Sequence, residues 1–224
     1  VIRDLNLKIN QVKKEGKQMN GNLIYELINP NIKIADLGCG KLPQYFYNDS
    51  LNIDSYDLYQ DNVGFKNFKK EDILRLHEYP ELKGLYNLIV VNHEFEHVGN
   101  LVDLFKTIKH IIKPHGLVYC SIPDGYNFTD IFYRLIHKFN SGGHINKFSR
   151  IGFTNLMADN GFKEIKWSNW EDDFSWFDKC FDLKYNQCSI TEEEKHFLVN
   201  ALKTYITSKN GFYYGWEFIF QEGL

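Results

Sequence analysis

The sequence predicts a doubly wound α/β fold around a mostly parallel sheet. Residues 32–37, 85–91 and 117–122 are short, mostly apolar runs, as expected of strands that are buried on both faces. Between the last two runs, the apolar residues of 101–112 recur at helical spacing. Strands that alternate with helices in this way form parallel sheets with helices on both sides.

Local signals predict the remaining elements. Asn29-Pro30 ends a helix over 23–28, since a residue before proline disfavours helical geometry. Ser149 begins a helix that ends at Gly161, and Thr191-Glu-Glu-Glu194 has capping-box spacing before another helix. We also expect an aromatic-rich helix over 128–139 and further strands at 51–53, 65–68, 162–167 and 212–220.

Composition limits the classes of protein that the chain can belong to. Its 224 residues, 43% of them hydrophobic and 16% aromatic, are enough for one sizeable core, and the sequence has neither repeats nor a linker. The net charge of −3 argues against binding to nucleic acid or anionic membranes through bulk charge. No apolar run is long enough to span a bilayer. Four cysteines without a C-x-x-C pair favour a reduced, cytoplasmic protein.

Polar residues follow the predicted strands at the edge where parallel sheets bind ligands. The first strand leads into Asp36, Gly38, Cys39 and Gly40, a turn whose glycines allow backbone amides to approach a ligand closely. Three other segments share this edge, although each of their acids could instead cap a turn or a helix. These segments are Asp54-Ser55 after strand two, Glu71-Asp72-Ile73 after strand three and Asn92-His93-Glu94 after strand four.

Several motifs between residues 32 and 162 resemble those of the class I S-adenosylmethionine-dependent methyltransferases. The turn at 36–40 is similar to the family's acid, one residue, then Gly-x-Gly. Other similar segments are Glu96-His97-Val98, Lys113-Pro114-His115-Gly116 (with His115 in place of a glycine), Ser121-Ile122-Pro123-Asp124, and His144 to Ser149 followed by Gly161-Phe162. The resemblance implies seven strands, the last one antiparallel, and S-adenosylmethionine as cofactor.

The resemblance also implies a role for each segment of the edge. The turn at Asp36–Gly40 would hold the methionine end of the cofactor, and Asp54 with Ser55 would bind the ribose hydroxyls. Asp72 would accept from the adenine amino group while Ile73 packs on the ring, and Asn92 and His93 would lie beside the sulfonium. We predict one domain, 1–224, with a helical segment at 1–30, a cofactor-binding core at 32–122, and acceptor-side insertions at 123–160 and 170–210.

Two histidines are the candidates for a catalytic base. A hydroxyl acceptor must lose a proton during methyl transfer, and neutral imidazole can accept it at pH 7. His97 would face the acceptor, although it could instead cap a helix; His144 follows a glycine pair suited to a hinge. We predict no metal site, because no histidines or cysteines are paired at the usual ligand spacing.

The acceptor that the resemblance implies is a small molecule, with a hydroxyl of a sugar or of a phosphorylated surface-glycan precursor as the preferred choice. The resemblance extends to O-methyltransferases of polysaccharide biosynthesis, and a homodimer is left open. A nicotinamide enzyme is disfavoured because Pro43 occupies the third position of G-x-G-x-x-G. Two alternatives stay open: a catalytically inactive module that binds cofactor and docks a partner, and a nucleic-acid methyltransferase.

Overall fold

The computed structural model describes residues 23–58, 64–126, 143–171, 191–207 and 213–223. The predicted helix at 128–139 and two of the cysteines, Cys180 and Cys188, lie outside these ranges, as do most of the predicted 1–30 segment and part of each predicted insertion. Among the described residues, no helix is both long enough and apolar enough to cross a bilayer.

The sheet has seven strands in the order β3-β2-β1-β4-β5-β7-β6. Strands β1 to β5 pair in parallel, and β7 lies antiparallel between β5 and β6. This arrangement confirms the predicted fold class, including the antiparallel last strand. The strands are β1 Lys33–Leu37, β2 Asn52–Tyr56, β3 Phe68–Lys69, β4 Tyr86–Asn92, β5 Ile112–Pro123, β6 Phe162–Glu171 and β7 Tyr213–Glu222.

The described α-helices are α1 Ile24–Leu27, α2 Leu101–Ile111, α3 Arg150–Asp159 and α4 Glu192–Thr207, and two short 3-10 helices cover Leu76–Glu78 and Pro80–Leu82. Two predicted caps are confirmed by their hydrogen bonds. The Ser149 hydroxyl accepts from the N–H of Gly152 at 3.1 Å. The Thr191 hydroxyl accepts from the N–H of Glu194, whose carboxylate in turn accepts from the N–H of Thr191, and this reciprocal pair is a capping box.

Both faces of the sheet are buried, because the central strands alternate between two apolar clusters. In β4, Leu88 and Val90 belong to the cluster that includes α1, whereas Ile89 and Val91 belong to the cluster that includes α2 and α3. Successive side chains of a strand point to opposite faces, so an unbroken apolar run supplies both layers. This layering places the sheet's carboxyl edge, and the loops that leave it, at one end of the molecule.

β6 runs four residues beyond its predicted end at 167, and three other strands, β2, β3 and β5, differ from their predicted bounds near the carboxyl edge or at a register shift. β2 runs three residues further than 51–53, and β3 is reduced to two residues, since only Ser55 and Tyr56 of β2 pair with it. β5 begins at Ile112 rather than Leu117, because Ile112 already pairs with Tyr86 before the register shifts. The turn expected at 113–116 is therefore an irregularity within β5, and His115 there has a φ of 61°.

Candidate active site

The turn after β1 is fastened to the end of β2. The N–H groups of Gly38 and Cys39 both donate to the carbonyl of Tyr56, at 2.9 and 3.1 Å. Gly38 and Gly40 have φ values of 70° and 72°, a region that side chains with a Cβ disfavour. Cys39 itself is buried, and burial raises the pKa of its thiol.

Gly38 also allows the loop after β4 to approach the turn. A Cβ built on Gly38 would lie 2.5 Å from both Cδ and Oε2 of Glu94. Such a distance is well inside van der Waals contact, so a side chain at this position would displace the glutamate. The glycine therefore brings the loops of two neighbouring strands, β1 and β4, into direct contact.

Asp57 is the acid that follows β2 and contacts the glycine turn. Its Oδ2 accepts from the N–H of Gly40 at 3.0 Å. The sequence predicted that Asp54 directly follows strand two, and this placement is wrong, because β2 continues through Tyr56 and Asp54 lies in its middle.

Asp54 is held inside the protein by partners from two other strands. Its Oδ2 accepts from the Tyr86 hydroxyl at 2.8 Å and lies 3.1 Å from Nζ of Lys33. The hydroxyl of Tyr56 lies 2.6 Å from that of Tyr86, which completes a buried polar chain. Ser55, also predicted as a binding residue, is fully buried within β2 beside Asp36 of β1.

A pocket opens where the loops after β1, β2, β3 and β4 meet. Each of the four loops contributes to its lining, as expected for a ligand site at the carboxyl edge of a parallel sheet. Among the residues predicted to bind cofactor, Gly38, Asp72 and Ile73 line it, and so does the predicted base His97. Asp57, Leu58 and Glu94 complete its main walls.

The loop after β3 presents one polar and one apolar residue to this pocket. Asp72 uses Oδ1 to accept from the N–H of Leu74 at 2.9 Å, which fixes the loop's shape. Ile73 is buried at the pocket wall. The predicted combination of a hydrogen-bond acceptor, Asp72, and an apolar surface, Ile73, is therefore present in the lining of this pocket.

Two carboxyl groups at this end of the molecule, the buried one of Asp36 and the half-buried one of Glu94, have raised pKa values. Burial, and secondarily the charge of Asp57, raises the pKa of Asp36 to about 7, and neither of its oxygens has a hydrogen-bond partner among the described residues. Burial, followed by repulsion from Asp57, raises the pKa of Glu94 to about 8. An arrangement in which carboxylates repel one another favours a cationic ligand, because a positive charge relieves the repulsion.

Asn92 is the last residue of β4, and His93 follows it directly. Asn92 is buried, and its Nδ2 donates to Gln44 at 3.1 Å, which ties β4 to the loop after β1. His93 has a φ of 56°, and its Nδ1 lies 3.1 Å from Oε1 of Glu96. Among the described residues, neither Asn92 nor His93 lines the pocket, although Glu94, the next residue along the chain, does.

The two predicted catalytic histidines contact each other. The rings of His97 and His144 have centroids 4.8 Å apart and an interplanar angle of 73°. The segment that carries His144 is held against the loop after β4, because the N–H groups of Ile145 and Asn146 donate to the carbonyl of Glu96 at 2.7 and 3.0 Å. The structure therefore brings together two histidines that are far apart in the sequence.

Sequence reasoning missed two residues at this site, Asp57 and Gln44. The place of Asp57 directly after a strand could have identified it. Gln44 carried no sequence signal, because its importance depends on a contact with Asn92 across the sheet.

Comparison with known proteins identifies the class. A family model described as "Methyltransferase domain" matches residues 14–166. The chain belongs to this family: it is a class I S-adenosylmethionine-dependent methyltransferase, and its cofactor is S-adenosylmethionine. No curated protein matches its sequence.

Solved structures with low sequence identity share the fold. A SAM-dependent methyltransferase from Archaeoglobus fulgidus is 15% identical with a TM-score of 0.57, and the match covers 97% of this chain and 94% of that one. Geranyl diphosphate C-methyltransferase from Streptomyces coelicolor A3(2) is 15% identical with a TM-score of 0.51 (87% and 72% covered). Phosphoethanolamine N-methyltransferase 2 from Haemonchus contortus is 14% identical with a TM-score of 0.51 (97% and 52% covered).

Proposed function

We propose that this protein transfers the methyl group of S-adenosylmethionine to a hydroxyl of a small molecule, a sugar or a phosphorylated surface-glycan precursor. The observation that carries the proposal is the position of His97, which lines the same pocket as the glycine turn at Gly38. A proton acceptor beside the cofactor is what a hydroxyl nucleophile requires and what an already deprotonated carbon or sulfur nucleophile does not. The sugar is the choice that the motif resemblance favours.

The cofactor would lie across the four loops of the pocket. In this proposal Asp57, rather than Asp54, binds the ribose hydroxyls, because its carboxylate lies beside the turn whereas that of Asp54 is engaged by Tyr86 and Lys33. Asp72 and Ile73 hold the adenine. The turn at Gly38–Gly40 and the buried carboxyl of Asp36 hold the methionine end, whose ammonium group offsets the carboxylate charge.

The methyl transfer is an in-line displacement at carbon. As the acceptor oxygen forms its bond to the methyl carbon, the bond from that carbon to sulfur breaks, and the sulfonium becomes the neutral thioether of S-adenosylhomocysteine. The hydroxyl proton passes to an imidazole nitrogen, for which His97 is the first candidate and His144, in contact with it, the second. Positioning the two reactants can supply up to about 7–11 kcal/mol of the barrier reduction, and the base about 10²–10⁴-fold in rate.

The test has a binding step and a transfer step. Calorimetric titration with S-adenosylhomocysteine establishes that the wild-type protein and each variant bind cofactor product. Transfer of labelled methyl from S-adenosylmethionine to a panel of sugars, nucleotide sugars and sugar phosphates then identifies an acceptor. We expect His97→Ala to lower kcat by about 10²-fold or more while binding persists, whereas His196→Ala, an exposed position on α4, leaves both unchanged.

Either of two results would reject the proposal. If His97→Ala and His144→Ala both turn over at the wild-type rate, neither histidine is the base. If label enters only carbon or nitrogen acceptors, or only nucleic acid, the hydroxyl assignment is wrong although the class of enzyme stands. Binding of S-adenosylhomocysteine without transfer of label to any acceptor, including a whole-cell extract, would instead indicate a module that binds cofactor without catalysis.

A further inference from the structure

Three side chains that can ligate a metal converge beside the pocket. Glu96 and His97 come from the loop after β4, and His144 comes from the segment before α3. Each offers one ligand atom, and the three atoms all lie within 4.8 Å of one another. Only the described residues enter this grouping. This cluster cannot be recognised from sequence spacing, because Glu96 and His97 are adjacent whereas His144 is distant along the chain.

Glu96 supplies an independent reason to expect a cation. Its side chain is only 1% exposed, and Oε2 is buried without a hydrogen-bond partner among the described residues. Its other oxygen, Oε1, lies 3.1 Å from Nδ1 of His93. A buried carboxylate oxygen that lacks a partner is costly, and a bound cation would satisfy it. The contact with His93 would then orient the carboxylate, as outer hydrogen bonds do for metal ligands.

The backbone keeps the two contributing segments together. Besides the two amides that donate to the Glu96 carbonyl, Nδ2 of Asn146 donates to the carbonyls of Phe95 and Val98, at 3.0 and 2.6 Å. Four hydrogen bonds therefore fix 145–146 against 95–98. The histidine next to this clamp, His144, is held near its partners without needing the metal to bring it there.

We propose that Glu96, His97 and His144 form a binding site for a divalent transition metal ion of the zinc class. Two imidazoles and one carboxylate suit zinc, iron or cobalt, whereas magnesium and calcium favour sets composed of oxygen. Metal bonds of about 2.0–2.2 Å require ligand atoms about 3–3.5 Å apart. The half-buried rings of His97 and His144 would therefore turn inward on binding. Three protein ligands leave at least one position open.

The open position gives the site a role in the proposed reaction, and this role rests on the proposed function. Since His97 lines the cofactor pocket, a metal held by it would lie at the acceptor side. A metal-bound hydroxyl loses its proton more readily, because the cation stabilises the alkoxide. In the metal-bound protein, the acceptor hydroxyl would bind at the open position and release its proton to solvent water. The ion would then take over the part that the proposed function gives to the imidazole of His97 in the metal-free protein, since a nitrogen bound to metal cannot also accept a proton.

Calorimetric titration of the metal-stripped full chain with Zn²⁺ tests the site itself. We expect one high-affinity equivalent in the wild type and at least a tenfold weaker one in Glu96→Gln and in His144→Ala. His196→Ala is the matched control for general binding of zinc to surface histidines, and its affinity should equal that of the wild type. Thermal melts of the metal-free proteins show whether each variant folds. If Glu96→Gln does not fold, His144→Ala still tests the site, because it changes only a partly exposed position.

The proposal is overturned if the wild type binds no Zn²⁺, or if both ligand variants bind it as tightly as the control. A parallel titration with S-adenosylhomocysteine separates this failure from failure of the proposed function. Loss of zinc binding with intact cofactor binding rejects the metal site alone. Zinc binding without any affinity for S-adenosylhomocysteine rejects the proposed function and leaves the metal site in place.

Discussion

The N–H of Gly40 donates a hydrogen bond to Oδ2 of Asp57 over 3.0 Å and so joins the turn after β1 to the loop after β2. The bond fixes a carboxylate beside two residues whose positive φ keeps the backbone open to a ligand. The relationship explains why Asp57, and not the buried Asp54, is the acid that can reach a ligand in the pocket.

Exchange of each acid for its amide should therefore affect a different property: cofactor affinity for Asp57 and stability for Asp54. Asp57→Asn weakens binding of S-adenosylhomocysteine by about 10- to 100-fold, since a hydrogen bond to a charged group contributes about 1.5–3 kcal/mol. Asp54→Asn leaves that affinity within about twofold and lowers the midpoint of urea unfolding, because Lys33 and Tyr86 lose their charged partner. Calorimetry and denaturant titration measure both. If only Asp54→Asn loses affinity, then Asp54, the acid predicted from the sequence, binds the ribose and Asp57 does not.

The pH dependence of stability should show the buried carboxyl of Asp36. Its pKa is raised to about 7 in the folded protein, so the folded state binds more protons than the unfolded state between about pH 4 and pH 7. Ionisation thus destabilises the protein as the pH rises through this window, and the loss is complete above about pH 8. Asp36→Asn removes this contribution. Its melting temperature relative to that of the wild type should therefore increase as the pH rises from 5 to 7.

Cofactor binding should respond to Asp36 in the opposite direction. If the carboxylate offsets the ammonium group of the cofactor, affinity for S-adenosylhomocysteine in the wild type increases as the pH rises through about 7. Asp36→Asn should bind more weakly above pH 7 and lose this increase. Calorimetry at pH 6, 7 and 8 measures the affinity of both proteins for S-adenosylhomocysteine. Identical pH profiles for the two proteins would show that Asp36 does not interact with the cofactor's charge.

Substitution of the two turn glycines by alanine distinguishes lack of space from backbone strain. Both have φ near 70°, which costs an alanine about 1–2 kcal/mol. At Gly38 the new Cβ also meets Glu94, whereas at Gly40 the nearest atom is 3.9 Å away. We expect Gly38→Ala to lose more stability and more cofactor affinity than Gly40→Ala. Gly161→Ala, with a φ of 83° and open space, is the control distant from the site.

Equal losses for Gly38→Ala and Gly40→Ala would mean that Glu94 moves aside at no cost. A double variant, Gly38→Ala with Glu94→Ala, tests the same point from the other side. It should recover part of the stability that Gly38→Ala loses, because the removed glutamate leaves room for the Cβ.

The buried chain of hydroxyls that holds Asp54 should be important for stability. Tyr86→Phe removes the donor to Asp54 and the contact with the Tyr56 hydroxyl, which leaves a buried carboxylate under-satisfied. We expect the free energy of unfolding to fall by about 1–3 kcal/mol. Tyr79→Phe also removes a hydroxyl that donates to a carboxylate, that of Glu71, but at a half-buried position. Denaturant titration should show a clearly smaller loss there, and equal losses would argue against a role for burial.

The sequence alone determined the sheet and its central strands. The runs in β1 and β4 are mostly apolar and almost wholly buried, as expected only of strands that are covered on both faces. Gly38 and Gly40 were identifiable for a similar reason, because their requirement is set by the local backbone. The caps at Ser149 and Thr191 follow from partners three residues away. In each case, the interaction that decides the structure lies within the segment itself.

Only the tertiary structure decided which acid faces the pocket and which histidines meet. Asp54 and Asp57 are three residues apart, and the end of β2 falls between them because Tyr86 and Lys33, from other strands, hold Asp54 inside. His144 lies beside His97 because hydrogen bonds from 145–146 to the loop after β4 bring distant segments together. Such contacts depend on side chains that meet only when the sheet has assembled, so no pattern within a single segment can specify them.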